Sequence, residues 1–162
     1  MKEQPADLVA LQELIDRSYA AAGPHLLAIH TPQRRLSAEA VCSRLTGMRL
    51  LALATVSADG RPVVGPVDGI FLRGAFHFGS APESVRARHI AARPWVSATH
   101  LPGEELAVTV HGRAVPIEIL SESAGLQQAY RDVYGPDWGR LAEQGARYAR
   151  IEADRMFTFH MA

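Results

Sequence analysis

The stretch LLALATVSADGRPVVGPV at residues 50–67 decides the fold. Residues 50–56 form an apolar run of strand length, broken only by Thr55. Asp59-Gly60 follows, the dipeptide favoured where a tight hairpin turn needs positive φ. Residues 62–67 then supply a return strand. A strand that doubles back so soon leaves no room for a crossover helix, so the sheet that starts here is antiparallel.

Toward the C-terminus the meander continues. Residues 70–72 are expected to pair with 75–78 across a turn at Arg73-Gly74. Ser80 and Glu83 have capping-box spacing, and Pro82 falls in the first turn, where its missing N–H costs nothing, so a helix is expected over 81–92. Pro94 stops it, because the residue before a proline is pushed out of the α region. Residues 95–99 and 106–115 resume strand character. In the second, Leu106, Val108 and Val110 alternate with Ala107, Thr109 and His111, the pattern of a half-buried strand, and Gly112 marks a bulge or a close backbone approach. Helical patterning is weak over 123–134 and 137–144, on either side of Gly135-Pro136. Residues 147–159 read as a closing strand or strand pair.

Toward the N-terminus, Leu8, Leu11, Ile15, Tyr19 and Ala22 recur at steps of three and four, one face of an amphipathic helix over 7–22. Gly23-Pro24 ends it, and a loop runs through Pro32. Ser37 caps a second short helix carrying Val41 and Leu45, with Gly47 just past its end. About six or seven strands and four or five helices at this spacing argue for an antiparallel barrel with attached helices. The reading is one structural domain, in which residues 1–46 form a helical extension packed on the barrel and 47–162 form the barrel.

Composition narrows the functional classes. Lys plus Arg and Asp plus Glu are 17 each, so no global field draws in a polyanion or an anionic membrane, and neither nucleic acid nor membrane is an expected partner. The apolar run at 50–56 is far short of the roughly 18 residues that suggest a membrane span. The N-terminal residues carry charges and no apolar core of a secretory signal. The one cysteine, Cys42, has no partner for a disulfide or a CxxC site, and it reads as a small buried residue. A reducing, cytoplasmic setting is expected.

Chemistry concentrates in FGSAPESVRAR at residues 78–88, which puts two hydroxyls and two arginines at a helix start. Free N–H groups and the positive end of the helix dipole attract an anion there, and Ser80, Ser84 and Arg86 would add charge-assisted bonds to a phosphate. The plainer alternative is that Ser80 caps, Ser84 is solvated, and Arg86 and Arg88 line a wet face. The seven histidines show no metal-ligand spacing, although His77 and His111 lie on strands that could face a cleft. No G-x-S-x-G elbow, P-loop or G-x-G-x-x-G is present. Trp138 and Tyr148 read as packing residues, or as cover for a ligand edge.

In combination, residues 53–67 with their D-G-R-P turn, the F-x-F strand at 76–78, the S-x-R-x-R helix start at 84–88 and the R-P-x-V-S strand at 93–97 resemble the pyridoxamine 5'-phosphate oxidase-like, FMN-binding split-barrel family. The resemblance covers about residues 47–119, and the segment near 148–159 is compatible with it. It implies a six-stranded antiparallel split barrel that pairs as a homodimer, with one flavin in each of two clefts between the subunits. Carried over by position, Ser80, Ser84 and Arg86 meet the FMN phosphate together with Gly79 and Arg88, and Gly65, Pro66, Val67 and Asp68 run along the isoalloxazine ring.

The chain also departs from that pattern. The namesake oxidases carry a phosphate-contacting arginine on the second barrel strand, and Gly65 stands at that position here. Their lysine at the end of the strand and their basic C-terminal substrate motif are missing as well, which disfavours the namesake reaction. The resemblance therefore implies an FMN-dependent oxidoreductase of unspecified substrate, passing a hydride or electrons between a donor and an acceptor. Its alternatives are a reductase using a deazaflavin coenzyme, with Arg34 and Arg35 at the cleft mouth, and a non-catalytic carrier or sensor of haem or flavin. A barrel acting only as a cofactor-free dimeric binding module stays open beside them.

Overall fold

The computed structural model describes residues 3–121 and 124–161. Helix α1 (Pro5–Ala20) is followed by a short helix α2 (Pro24–Ile29), a 3₁₀ turn (Pro32–Arg34) and α3 (Ala38–Arg44). Strands β1 (Met48–Val56), β2 (Pro62–Leu72) and β3 (Ala75–Ser80) lead into α4 (Val85–Ala92). Then come β4 (Trp95–Gly103), β5 (Leu106–Ile117), α5 (Ala124–Tyr134), α6 (Trp138–Glu143) and β6 (Arg147–His160). Every strand pair is antiparallel, and the six strands close in the order β1-β2-β3-β6-β5-β4.

The hairpin that opened the reading forms as expected. Val56 pairs with Pro62, Ser57 N donates to the Arg61 carbonyl, and Gly60 takes φ +81°. The second turn places Arg73 and Gly74 at φ +52° and +76°, the left-handed pair that a two-residue hairpin loop requires. Leu51, Leu53, Val67, Phe76, Phe78, Val96, Ala98 and Val108 point into the barrel and share one core with Leu11, Leu14, Ile15 and Tyr19 of α1. A second apolar cluster, outside the barrel wall, packs α5 and α6 over Ile70, Leu72 and Tyr148.

Several elements differ from the sequence reading. Residues 62–67 and 70–72 belong to one strand, because Val67, Asp68 and Gly69 stay in register with Leu51, Leu50 and Arg49. The closing segment is a single strand, bent where Asp154 is left unpaired between the His111–Arg155 and Gly112–Ala153 pairs. A Cβ on Gly112 would collide with the Glu152 carbonyl oxygen, so this glycine marks both a bulge and a close approach. Residues 24–29 are helical rather than loop. The expected start of α5 at Ser123 lies outside the described residues.

The N-terminal helices have a specific job on the sheet. Strand β3 pairs with β6 only from Arg147 to Arg150, which leaves the later part of that edge of β6 without a strand partner. Side chains of α1 satisfy it. Ser18 Oγ accepts from Met156 N at 2.9 Å, and Tyr19 Oη accepts from Thr158 N at 3.0 Å while donating to the Thr158 carbonyl at 2.5 Å. An open strand edge is thereby closed by two hydroxyls rather than by another strand.

Candidate cofactor site

Strands β2 and β3 pair only from Gly69 to Leu72 with Phe78 to Ala75, so the earlier half of β2 parts from β3 and opens a gap in the wall. Helix α4 lies at that gap. It starts at Val85 rather than Ala81, with Ser84 as the N-cap accepting from Ala87 N at 3.1 Å. Ser80 is the last residue of β3, paired with Arg147, and the residues that follow it form a turn rather than helix, so it caps nothing. The chain turns through 81–84 instead, closed by Ser84 N donating to the Ala81 carbonyl.

This start aims Arg86 across the gap. Its Nη2 donates to the Pro66 carbonyl at 2.7 Å, and its Nη1 reaches Ser80 Oγ at 3.4 Å. A Cβ built on Gly65 would lie 3.4 Å from the same Nη2, in ordinary contact, so only a side chain larger than alanine would need the guanidinium's space. Burial lowers the Arg86 pKa from its ordinary value, and no carboxylate pairs with Arg86 among the described residues. A half-buried cation without a counter-charge is costly in the free protein and is relieved by an anion. The residues present therefore fit a phosphate. His89 Nδ1, 2.9 Å from Thr55 Oγ1, and Arg93 Nε, donating to the Val56 carbonyl, fasten α4 to β1.

Around Arg86 the structure gathers Gly65, Pro66 and Ser80, with Ser84 two residues before it as the helix cap. Arg88, two residues along the helix from Arg86, is exposed and donates to the Glu83 carbonyl at 3.1 Å. Gly79 faces the opposite way from Ser80, with a Cβ position 3.0 Å from the Tyr148 ring, so its missing side chain serves packing. Val67 is buried in the barrel core and offers only backbone to a ligand. Asp68 is exposed on the outer face.

Arg34 and Arg35 do not join the cluster. Arg35 stacks on Tyr19 with 4.1 Å to the ring centroid, and Arg34 lies over Phe159. Trp138 is buried, its Nε1 donating to Tyr148 Oη at 3.0 Å, so both aromatics pack within their own chain. His77 is buried at the edge of the α5 cover, and burial pulls its pKa down to about 4. His111 is exposed, 2.7 Å from Ser97 Oγ.

Two neighbours of the site carried no local sequence signal. Arg147 stands opposite Ser80 in the β3–β6 ladder. Tyr134, at the end of α5, has its phenol pushed up to about 12, first by burial and then by the charge of Asp68.

That outer face is apolar. A groove of about 680 Å³ runs between β1, β2 and β4, lined by Leu50, Ala52, Val64, Pro66, Leu101 and Pro102. A second groove, about 500 Å³, continues along β4 past Trp95, Ser97, His111 and Asp154.

Known proteins share this architecture. The chain superimposes on a conserved hypothetical protein of Mycobacterium tuberculosis with a TM-score of 0.62 at 17% identity, over 80% of this chain and 88% of that one. A protein of Mesorhizobium loti described as FAD-binding matches with a TM-score of 0.55 at 21% identity, over 80% and 98% of the two chains. The haem storage protein of Vibrio cholerae matches with a TM-score of 0.54 at 21% identity, over 68% and 86%. At these identities the likeness is one of fold. No curated protein matches the sequence. Among the described residues no helix is long and apolar enough to cross a membrane. The sequence profile of the pyridoxamine 5'-phosphate oxidase family matches residues 37–158, most of the chain, and with the closed six-stranded barrel this establishes that the chain belongs to that family.

Proposed function

We propose that the protein binds a phosphate-bearing flavin, FMN, and acts as a flavin-dependent oxidoreductase. The observation that carries this reading is the Arg86 guanidinium, partly buried and uncompensated, fixed between Pro66 O and Ser80 Oγ at the gap between β2 and β3. Arg86 and the hydroxyls of Ser80 and Ser84 hold the phosphate. The Gly65–Pro66 backbone, with Val67 and Asp68 beyond it, supports the ring. When bound, the flavin supplies the hydride or electron transfer. The protein's part is to bind, orient and exclude water, so a side-chain acid or base is not required of it.

The cofactor cleft is completed by a second copy of the chain. The outer face of β1, β2 and β4 exposes Leu50, Val64, Trp95 and Leu101 at 56%, 67%, 57% and 61%, a contiguous apolar row of the kind that marks an interface. A homodimer through this face buries the row and encloses the ring.

A second reading is a carrier or sensor that holds haem or flavin without turnover. It is favoured by the fold shared with the haem storage protein of Vibrio cholerae and by the exposed His111 in the groove beside Trp95. The visible spectrum of the purified protein separates the two. Flavin bands that NAD(P)H bleaches anaerobically support the oxidoreductase. A Soret band that His111→Ala shifts supports the carrier, and a flavin that no donor reduces overturns the oxidoreductase reading.

A further inference from the structure

We infer that Arg147 is the second cation of the Arg86 site, and that the site therefore takes a terminal phosphate monoester, a dianion. The inference rests on the flavin-phosphate reading above and names the chemical class of the group that the site selects.

Ser80 and Arg147 are direct partners in the β3–β6 ladder, which sets their Cβ atoms about 4.5–5.5 Å apart on one face. That face is the barrel's inner one, because the pair two positions along, Phe78 and Ala149, lies in the barrel core. At the last rung the core gives way to solvent, and Arg147 is exposed there. Arg86 reaches the same Ser80 hydroxyl from α4. Two arginines thus stand next to Ser80, one reaching its hydroxyl from helix α4 and one paired with it on strand β6.

Neither has a carboxylate partner among the described residues, and the Arg147 side chain makes no hydrogen bond there. Elsewhere on β5 and β6 the arrangement differs, since Arg113 and Arg150 share Glu152 at 3.3 and 2.8 Å. A dianion held between two such cations gains from both, where a monoanion needs only one. A phosphate monoester carries close to two charges above its second ionisation, at about pH 6. A phosphate within a longer chain is a diester with one charge, for which Arg86 alone suffices.

The test is a fluorescence titration of the full-length protein with FMN and with riboflavin, which lacks the phosphate, at pH 7.5 or above. Arg147→Ala is expected to weaken FMN binding about 10- to 100-fold, the range for a lost charge-assisted bond. Arg147→Lys should retain most of the affinity and Arg147→Glu should lose more than Ala. Riboflavin affinity and the ligand-free melting temperature should stay as in the wild type. Equal FMN affinity in wild type and Arg147→Ala overturns the inference and leaves the Arg86 reading standing. A Lys variant as weak as Ala also overturns it, because the position then acts through shape rather than charge. A wild type that ignores FMN overturns both.

Discussion

A Cβ placed on Gly65 would sit 3.4 Å from Nη2 of Arg86, in ordinary contact, so the second strand and the helix across the gap share one small space. The namesake oxidases place an arginine on that strand. Here the strand keeps only a glycine, and the guanidinium arrives from α4, anchored on the neighbouring Pro66 carbonyl.

Gly65→Ala is therefore expected to fold and to bind FMN within a few-fold of the wild type. Gly65→Leu needs the space that Arg86 occupies, breaks the bond to Pro66 and should weaken binding by at least tenfold, about 1.4 kcal/mol. Titrating both variants checks this. A Leu variant with native affinity would mean that Arg86 can hold the ligand from another position.

The clamp of α1 on β6 predicts a stability cost. Tyr19→Phe removes the hydroxyl that serves both Thr158 N and the Thr158 carbonyl in a buried setting. The Thr158 carbonyl keeps His30 Nδ1 at 3.1 Å, and leaving Thr158 N unpaired costs about 1–3 kcal/mol. Urea denaturation of the variant should show a lowered midpoint with an unchanged slope. An unchanged midpoint would show that the edge of β6 does not depend on the helix.

His77 gives the acid limb of the stability curve a recognisable contribution. Its folded pKa is held at about 4, against 6.5 ordinarily, by burial first and then by the positive charges of Arg150 and Arg73. Between those values the unfolded chain binds more protons than the folded one, so stability rises with pH across this window. The contribution is complete above pH 6.5 and is lost as pH falls toward 4, up to about 3 kcal/mol at 1.36 kcal/mol per unit. His77→Gln should flatten the stability–pH curve between 6.5 and 4 relative to wild type. Parallel curves would contradict the assignment.

The exposed row on the outer face predicts an oligomeric change. Val64 is 67% exposed in the single chain, so Val64→Asp should leave the fold intact while placing a charge in the proposed interface. Sedimentation should show a dimeric wild type and a monomeric variant. A variant as dimeric as the wild type would move the interface elsewhere.

Much of this architecture was legible in local patterns. The 50–67 hairpin, the Arg73-Gly74 turn and the alternation in β5 each rest on a few adjacent residues whose backbone demands are plain. Arg86 was legible for the same reason, as part of a helix start near a strand end. The exact start was not, because Ser80 and Ser84 both offer a cap, and the turn closed by Ser84 N on the Ala81 carbonyl decides for Ser84. Arg147 itself escaped notice because register across a long sequence separation leaves no local mark. Ser18 was hidden likewise, since its partner Met156 N belongs to a strand at the far end of the chain. Arg34 and Arg35 show the same limit, since nothing local in the sequence marks their contacts with Phe159 and Tyr19.

Arg86 acts in this proposal as an anion-binding group rather than as a structural tie between α4 and β2. Its most direct test is quenching of FMN fluorescence by the wild-type protein and by Arg86→Ala, with riboflavin measured beside it. Saturable FMN binding by the wild type is expected, with a loss of about 1.5–3 kcal/mol in the variant and little change for riboflavin. Equal loss for FMN and riboflavin, or no loss for either, would contradict it.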